Sequence, residues 1–170
     1  LAPIAVCEGQ PAELKVTAEG TGTLKYTWRR GQSEIPEATG NTWSAKELKL
    51  VDAGQYTVTV EGDCGIVTAG PVTVKVLTKP LVVGPGESKL SLKQGGSIRL
   101  GVATNNDAST TYQWFKDGLA LTTDKHITYN VFTKYDIKTA TDAGKYWCVV
   151  ENQCGTTKSD EVEIVITTGA

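Results

Sequence analysis

Few residues in this chain could do chemistry. Four cysteines, Cys7, Cys64, Cys148 and Cys154, could bridge, bind metal or act as thiolates, and the sole histidine, His126, is the one side chain that titrates near neutrality unaided. None of them falls in a metal-ligand or Cys-x-x-Cys spacing, and His126, in Asp124-Lys125-His126, stands beside no nucleophile motif and reads as a solvated loop residue. No HExxH, GxSxG or phosphate-binding loop is present. Asn105-Asn106-Asp107 offers one carboxylate and two amides, short of the roughly 6–8 oxygens a calcium site needs, and reads as a polar loop. Trp43 with Arg29 and Arg30 could build a sugar-stacking platform, although a core or sheet-edge aromatic is the better reading of Trp43. That leaves two carboxylates, Asp52 and Asp142, each in an Asp-x-Gly-x-Tyr motif: Asp52-Ala53-Gly54-Gln55-Tyr56 and Asp142-Ala143-Gly144-Lys145-Tyr146. Such an aspartate at a turn is structural. The expectation is no catalytic residue, no metal and no cofactor.

The elements that position these residues follow from spacing. Val16 to Trp28 is twelve residues and so is Val102 to Trp114; Tyr56 to Cys64 is eight, as is Tyr146 to Cys154. Trp28 to Tyr56 is 28 but Trp114 to Tyr146 is 32, so the second copy is longer only there. A period in the eighties is too long for a solenoid repeat and predicts tandem domains, 1–78 and 79–170, divided at Thr78-Lys79-Pro80, where a proline stops the strand ladder. The short linker predicts domains joined end to end. Alternation in Leu14-Lys15-Val16, Tyr56–Val60, Val72–Val76, Ile98–Val102 and Val162–Ile166 reads as half-buried antiparallel strands, and no helical period is visible.

The 170 residues carry a net charge of −2 with signs interspersed and no basic stripe, which argues against nucleic acid or an anionic membrane as partner. There is no transmembrane stretch, signal peptide or methionine, so the chain reads as a mature or excised piece of a larger exported protein with no membrane insertion of its own.

Tyr26, Trp28 and Gly31 with Asp52–Tyr56 in the first half, and Tyr112, Trp114 and the Lys116-Asp117-Gly118 turn with Asp142–Tyr146 in the second, resemble the immunoglobulin superfamily, I-set type. The resemblance covers essentially the whole chain. It implies an all-β fold of two immunoglobulin-like sandwiches, with Trp28 and Trp114 filling the space between sheets and Tyr56 and Tyr146 forming tyrosine corners. The family usually bridges its second and sixth strands, yet those positions are Val16/Val58 and Val102/Cys148, so neither domain can hold that bridge. Losing such a bridge costs ~2–5 kcal/mol, and two buried valines return a comparable amount. With Cys-Glu-Gly at Cys7 and Cys-Gly at Cys64 and Cys154, the chain is similar to repeats of secreted or surface proteins of bacteria.

In that topology Cys7 ends the first strand at the pole facing the neighbouring domain, while Cys64 and Cys154 each sit at the hairpin tip of the opposite pole of their own domain, so a Cys7–Cys64 bridge within the first domain would have to span ~20 Å, beyond bridging range. End to end, the neighbour-facing pole of the first domain meets the hairpin tip of the second, so an interdomain Cys7–Cys154 disulfide is expected, with Cys64 bridging to a preceding domain and Cys148 a buried free thiol. The alternative is four reduced cysteines.

Strand alternation sends Gln113, Phe115, Trp147 and Val149 outward in the second domain, where the first has Thr27, Arg29, Thr57 and Thr59. An exposed aromatic cluster marks an interface; alternatively, segment 119–133 folds over it. The chain is thus expected to be a non-catalytic extracellular module pair for cell adhesion or protein recognition, binding a protein, a cell-surface ligand or a glycan, beside neighbouring immunoglobulin-like domains. The rival readings are a spacer or stalk in a larger surface protein and an accessory carbohydrate-binding module of a secreted enzyme.

Overall fold

The computed structural model describes residues 1–105, 110–121 and 130–169. His126 and its neighbours Asp124 and Lys125, together with Asn106 and Asp107, lie outside the described residues. The chain divides into two compact units, Leu1–Thr78 and Lys79–Ala170.

Unit 1 contains β1 (Ile4–Cys7), β2 (Ala12–Lys15), β3 (Lys25–Arg30), β4 (Ser33–Glu34), β5 (Thr42–Ala45), β6 (Gly54–Gly62) and β7 (Gly65–Leu77). One sheet runs β1-β7-β6-β3-β4 and the facing one pairs β2 with β5. Unit 2 contains β8 (Val82–Val83), β9 (Lys89–Lys93), β10 (Ser97–Gly101), β11 (Ala103–Thr104), β12 (Thr111–Lys116), β13 (Leu119–Ala120), β14 (Val131–Tyr135), β15 (Gly144–Asn152), β16 (Gly155–Lys158) and β17 (Val162–Thr167). Its large sheet runs β13-β12-β15-β17-β9 with β16 also on β15, faced by β10-β14 and the short β11-β8 pair. Among the described residues the helical content is a 3-10 turn at Leu50–Asp52 and one helical turn at Thr139–Asp142.

Each unit is an immunoglobulin-like β-sandwich, and each closes on its own core. In unit 1 the core gathers Leu14, Val16, Trp28, Trp43, Leu48, Tyr56, Val58 and Val74. In unit 2 it gathers Ile98, Val102, Trp114, Phe132, Ile137, Tyr146, Cys148 and Ile164. These are the inward positions of strands whose intervening residues face out, the two-residue period of a sheet with one buried face. Val58 lies opposite Trp28, and Cys148 opposite Trp114, so a valine in one sheet and a thiol in the other is the cross-strand partner of the tryptophan.

Two edges differ from the all-antiparallel reading of the alternating segments. β1 pairs with β7 in parallel, Ile4 against Val74, and β9 pairs with β17 in parallel, Leu90 against Ile164. Alternation specifies which face is buried but not strand direction, which is set here by chain crossover from one sheet to the other. The last strand also differs between copies. β7 is one continuous strand with a register shift opposite Tyr56 and Val58, whereas unit 2 divides the equivalent stretch into β16 and β17 around Ser159.

Candidate binding face and cysteines

The repeated aspartates are consumed by structure. Tyr56 and Tyr146 donate their hydroxyls to the backbone oxygens of Asp52 and Asp142, both at 2.7 Å, fixing the turn that enters β6 or β15. Asp142 is buried; its Oδ1 lies 2.6 Å from Lys134 Nζ and its Oδ2 accepts the Lys138 backbone N–H at 2.8 Å. Burial works against its charge, but the Lys134 ammonium and the Lys138 N–H outweigh this and hold its carboxyl below the usual range. Asp52 is more open: its Oδ2 accepts the Lys49 N–H at 2.8 Å and Arg30 lies 3.5 Å away. With their lone pairs committed to loop closure, these carboxylates are poorly placed to act on a substrate. Among the described residues no cluster of three or more His, Cys, Asp or Glu could hold a metal ion.

The outer face of the large sheet in unit 2 collects the four predicted residues on two neighbouring strands. Gln113 is paired with Val149 and Phe115 with Trp147 across β12 and β15. The Phe115 and Trp147 rings stack with centroids 5.8 Å apart and planes 8° apart. All four are half-buried. Sequence reasoning missed Lys158: it stands opposite Val149 on β16 and carries its ammonium 4.4 Å from the Trp147 ring centroid, a cation–π contact. Its signal was there, because a hairpin tip at Gln153-Cys154 places residue 158 beside 149. Lys158 is held in turn by Glu161 at 2.6 Å, and that ion pair keeps the Glu161 carboxyl below its usual range. On β13, Ala120 lies opposite Phe115, next to the described end of the segment considered as a cover; residues 122–129 are outside the described residues.

The matching face of unit 1 is polar. Thr27 is paired with Thr59, and Arg29 with Thr57 and Glu34, with Thr59 and Thr68 hydroxyls 3.3 Å apart. Trp43 is 6% exposed and packs on Tyr56 with ring centroids 4.6 Å apart, a core role that removes its face from any sugar platform. It also lines, with Arg30, Asp52 and the loop from Ile35 to Gly40, a hollow of about 660 Å³.

Two of the cysteines are free thiols, Cys64 exposed and Cys148 buried. Burial pushes the Cys148 thiol up to about 12, so it stays protonated and inert at neutral pH.

Residues 92–166 match the immunoglobulin domain family. The chain is 30% identical over 152 residues to mouse hemicentin-2, covering 85% of this chain and 3% of that protein. It is 39% identical over 84 residues to the decoration protein of Escherichia phage T5, covering 49% of this chain and 51% of that one. Human leucine-rich repeats and immunoglobulin-like domains protein 1 is 27% identical over 161 residues, with 87% of this chain and 14% of the relative covered. The chain thus spans about half or much less of these relatives' lengths. Among solved structures, the I-band fragment I67–I69 of titin superposes with a TM-score of 0.77 at 20% identity, over 97% of this chain and 62% of that one. Sidekick-1 immunoglobulin domains 1–5 do so with 0.59 at 18% identity, over 97% and 36%. The fold is that of tandem immunoglobulin-like domains, and the comparisons support the immunoglobulin superfamily.

Proposed function

We propose that this chain is a non-catalytic pair of immunoglobulin-like, I-set-type modules that serves in adhesion or protein recognition outside the cell, with the outer face of unit 2 as its contact surface. The observation that carries this reading is the Phe115–Trp147 stack capped by Lys158, set against threonines at the equivalent places of unit 1. A solvated face needs no stacked aromatics, whereas interface centres favour tryptophan surrounded by polar residues. A protein or cell-surface partner suits such a face; a glycan is less well served, since the aromatic planes stack on each other. The Cys-Glu-Gly and Cys-Gly pattern favours an exported bacterial surface protein, and a Cys7–Cys154 bridge would tie the two units together.

A spacer reading is favoured by one observation, the likeness to a phage decoration protein and a titin fragment rather than to adhesion proteins alone. The two readings separate in one experiment. Phe115→Ser with Trp147→Ser should leave the fold intact and lower cell-surface binding of the labelled chain, or its self-association in sedimentation, at least tenfold. Unchanged binding in a folded double variant would leave the spacer reading.

A further inference from the structure

In the smaller sheet of unit 1, β5 has one edge in use and one open. It pairs with β2 alone, in unbroken register, Leu14 against Trp43 and Ala12 against Ala45. Val16 N–H donates to Asn41 O at 2.9 Å and so continues that ladder. Facing residues of an antiparallel pair alternate between bonded and unbonded positions, so Asn41, Trp43 and Ala45 turn their backbone N–H and C=O toward β2, while Thr42 and Ser44 turn theirs the other way. Among the described residues no hydrogen bond reaches the backbone groups of Thr42 or Ser44. The edge of β4 is open too. Ile35 N–H donates to Trp28 O at 2.8 Å, so Glu34, at the unbonded position opposite Arg29, turns its backbone groups outward.

Both edges line the hollow of about 660 Å³, together with the loop from Ile35 to Gly40. Every residue involved lies between Ala12 and Asp52, inside the chain. Residues 35–41 lead from β4 to β5 and are committed elsewhere: Ala38 N–H donates to Ile35 O at 3.2 Å, and Gly40 O accepts Trp28 Nε1–H at 2.9 Å. They contribute no strand to β5. Native sheets commonly blunt such an edge with lysine, proline or a bulge. Thr42-Trp43-Ser44-Ala45 carries none of these. The charges around the hollow are mostly balanced. Arg30 lies 3.5 Å from Asp52, and Arg29 stands opposite Glu34 across the β3–β4 pair. Glu37 is exposed and, among the described residues, has no ion-pair partner.

We propose that this hollow is an acceptor for an extended segment of a separate partner protein, which pairs with the open edge of β5 and sets a lysine or arginine against Glu37. Backbone bonds supply the attachment: the N–H and C=O of Thr42 and of Ser44 each meet a complementary group of the incoming strand. The cation chooses among strands, because Glu37 is the carboxylate left without a counter-charge. A single strand fits where a second copy does not. An added strand needs only about 4.8 Å beside β5, whereas a second copy would bring its own loop 35–40 into the same space. The surface belongs to unit 1 and shares no residue with the aromatic face of unit 2, so it adds a second contact and does not depend on the first.

The test titrates the isotope-labelled chain with a synthetic peptide, Thr-Lys-Thr-Val-Thr-Lys-Thr, and with its glutamate counterpart, Thr-Glu-Thr-Val-Thr-Glu-Thr. In the free chain the amides of Trp43 and Ala45 should exchange at least tenfold more slowly than those of Thr42 and Ser44. The lysine peptide should shift the amides of Glu37, Thr42 and Ser44 and slow exchange at the last two at least tenfold, and the glutamate peptide should bind at least tenfold more weakly. Ser44→Pro removes a donor that β2 does not use, so the ladder survives while peptide binding falls at least tenfold. Glu37→Lys, on an exposed loop, should weaken binding as much without touching the strand. Equal binding of the two peptides, shifts confined to unit 2, or no shift at Thr42 and Ser44 in millimolar lysine peptide would each overturn the proposal. So would a peptide-free chain that dimerises with Thr42 and Ser44 protected, by making a second copy the occupant.

Discussion

At the scale of single residues, the two copies solve one problem with different chemistry. Asp142 is buried and bonded to Lys134 and Lys138, where Asp52 is looser and half-open. Because its folded carboxyl titrates below the unfolded value of ~3.9, its stabilisation is present above that value and is lost as pH falls through the folded one. Asp142→Asn should thus lower stability at pH 7 by about 1–3 kcal/mol by spoiling buried hydrogen bonds, and flatten the acid limb of a urea-midpoint against pH curve below about pH 4. An unchanged acid limb would show that Asp142 does not titrate with folding. Cys148 has the opposite sign. Its folded thiol titrates at about 12 and an unfolded one near ~8.5, so stability should decline as pH rises between those values, because only the unfolded state releases the proton. Cys148→Val, a near-isosteric change in the core, should remove the part of that decline that begins near pH 9. Tyr146 and Tyr56, whose hydroxyls are also pushed up by burial, should keep the part that begins higher. Thiol labelling of the native protein should modify Cys64 rapidly and Cys148 only with unfolding.

At the scale of elements, what the sequence disclosed depended on whether a feature repeats locally. The tryptophans and tyrosines were legible because each must fill the same inter-sheet space in both copies, and alternation about them assigned Phe115 and Trp147 to one outer face. The parallel pairings of β1 with β7 and β9 with β17 were not, since a period of two is blind to strand direction. Lys158 was missed because its place over Trp147 depends on the hairpin register, not on its own neighbours. The role of Ser159 was hidden too. Its hydroxyl accepts the Cys148 backbone N–H at 2.8 Å where the ladder breaks between β16 and β17, a task a side chain takes only because the strand is interrupted.

At the scale of the whole molecule, the two cores share no residue, so each unit should melt on its own unless the chain is cross-linked. The proposed Cys7–Cys154 bridge supplies that link. If one unit unfolds while the other stays folded, the bridge and the chain passing through Thr78 close a loop of about 70–75 residues, which in the chain-entropy account disfavours unfolding by up to about 4 kcal/mol. Bridges commonly deliver less than this upper value, and about 1 kcal/mol moves the midpoint of a domain this size by roughly 4–8 °C. Cys7→Ser with Cys154→Ser should therefore lower the first melting transition by about 10 °C while leaving both tryptophan cores folded at 25 °C, and a non-reducing peptide map of the parent chain should contain one linked pair, Cys7 with Cys154. A map lacking that pair, or melting unaltered by the double substitution, would remove the bridge from the account and leave two independent units on a flexible joint, an arrangement that favours recognition by unit 2 alone over any stiff spacer.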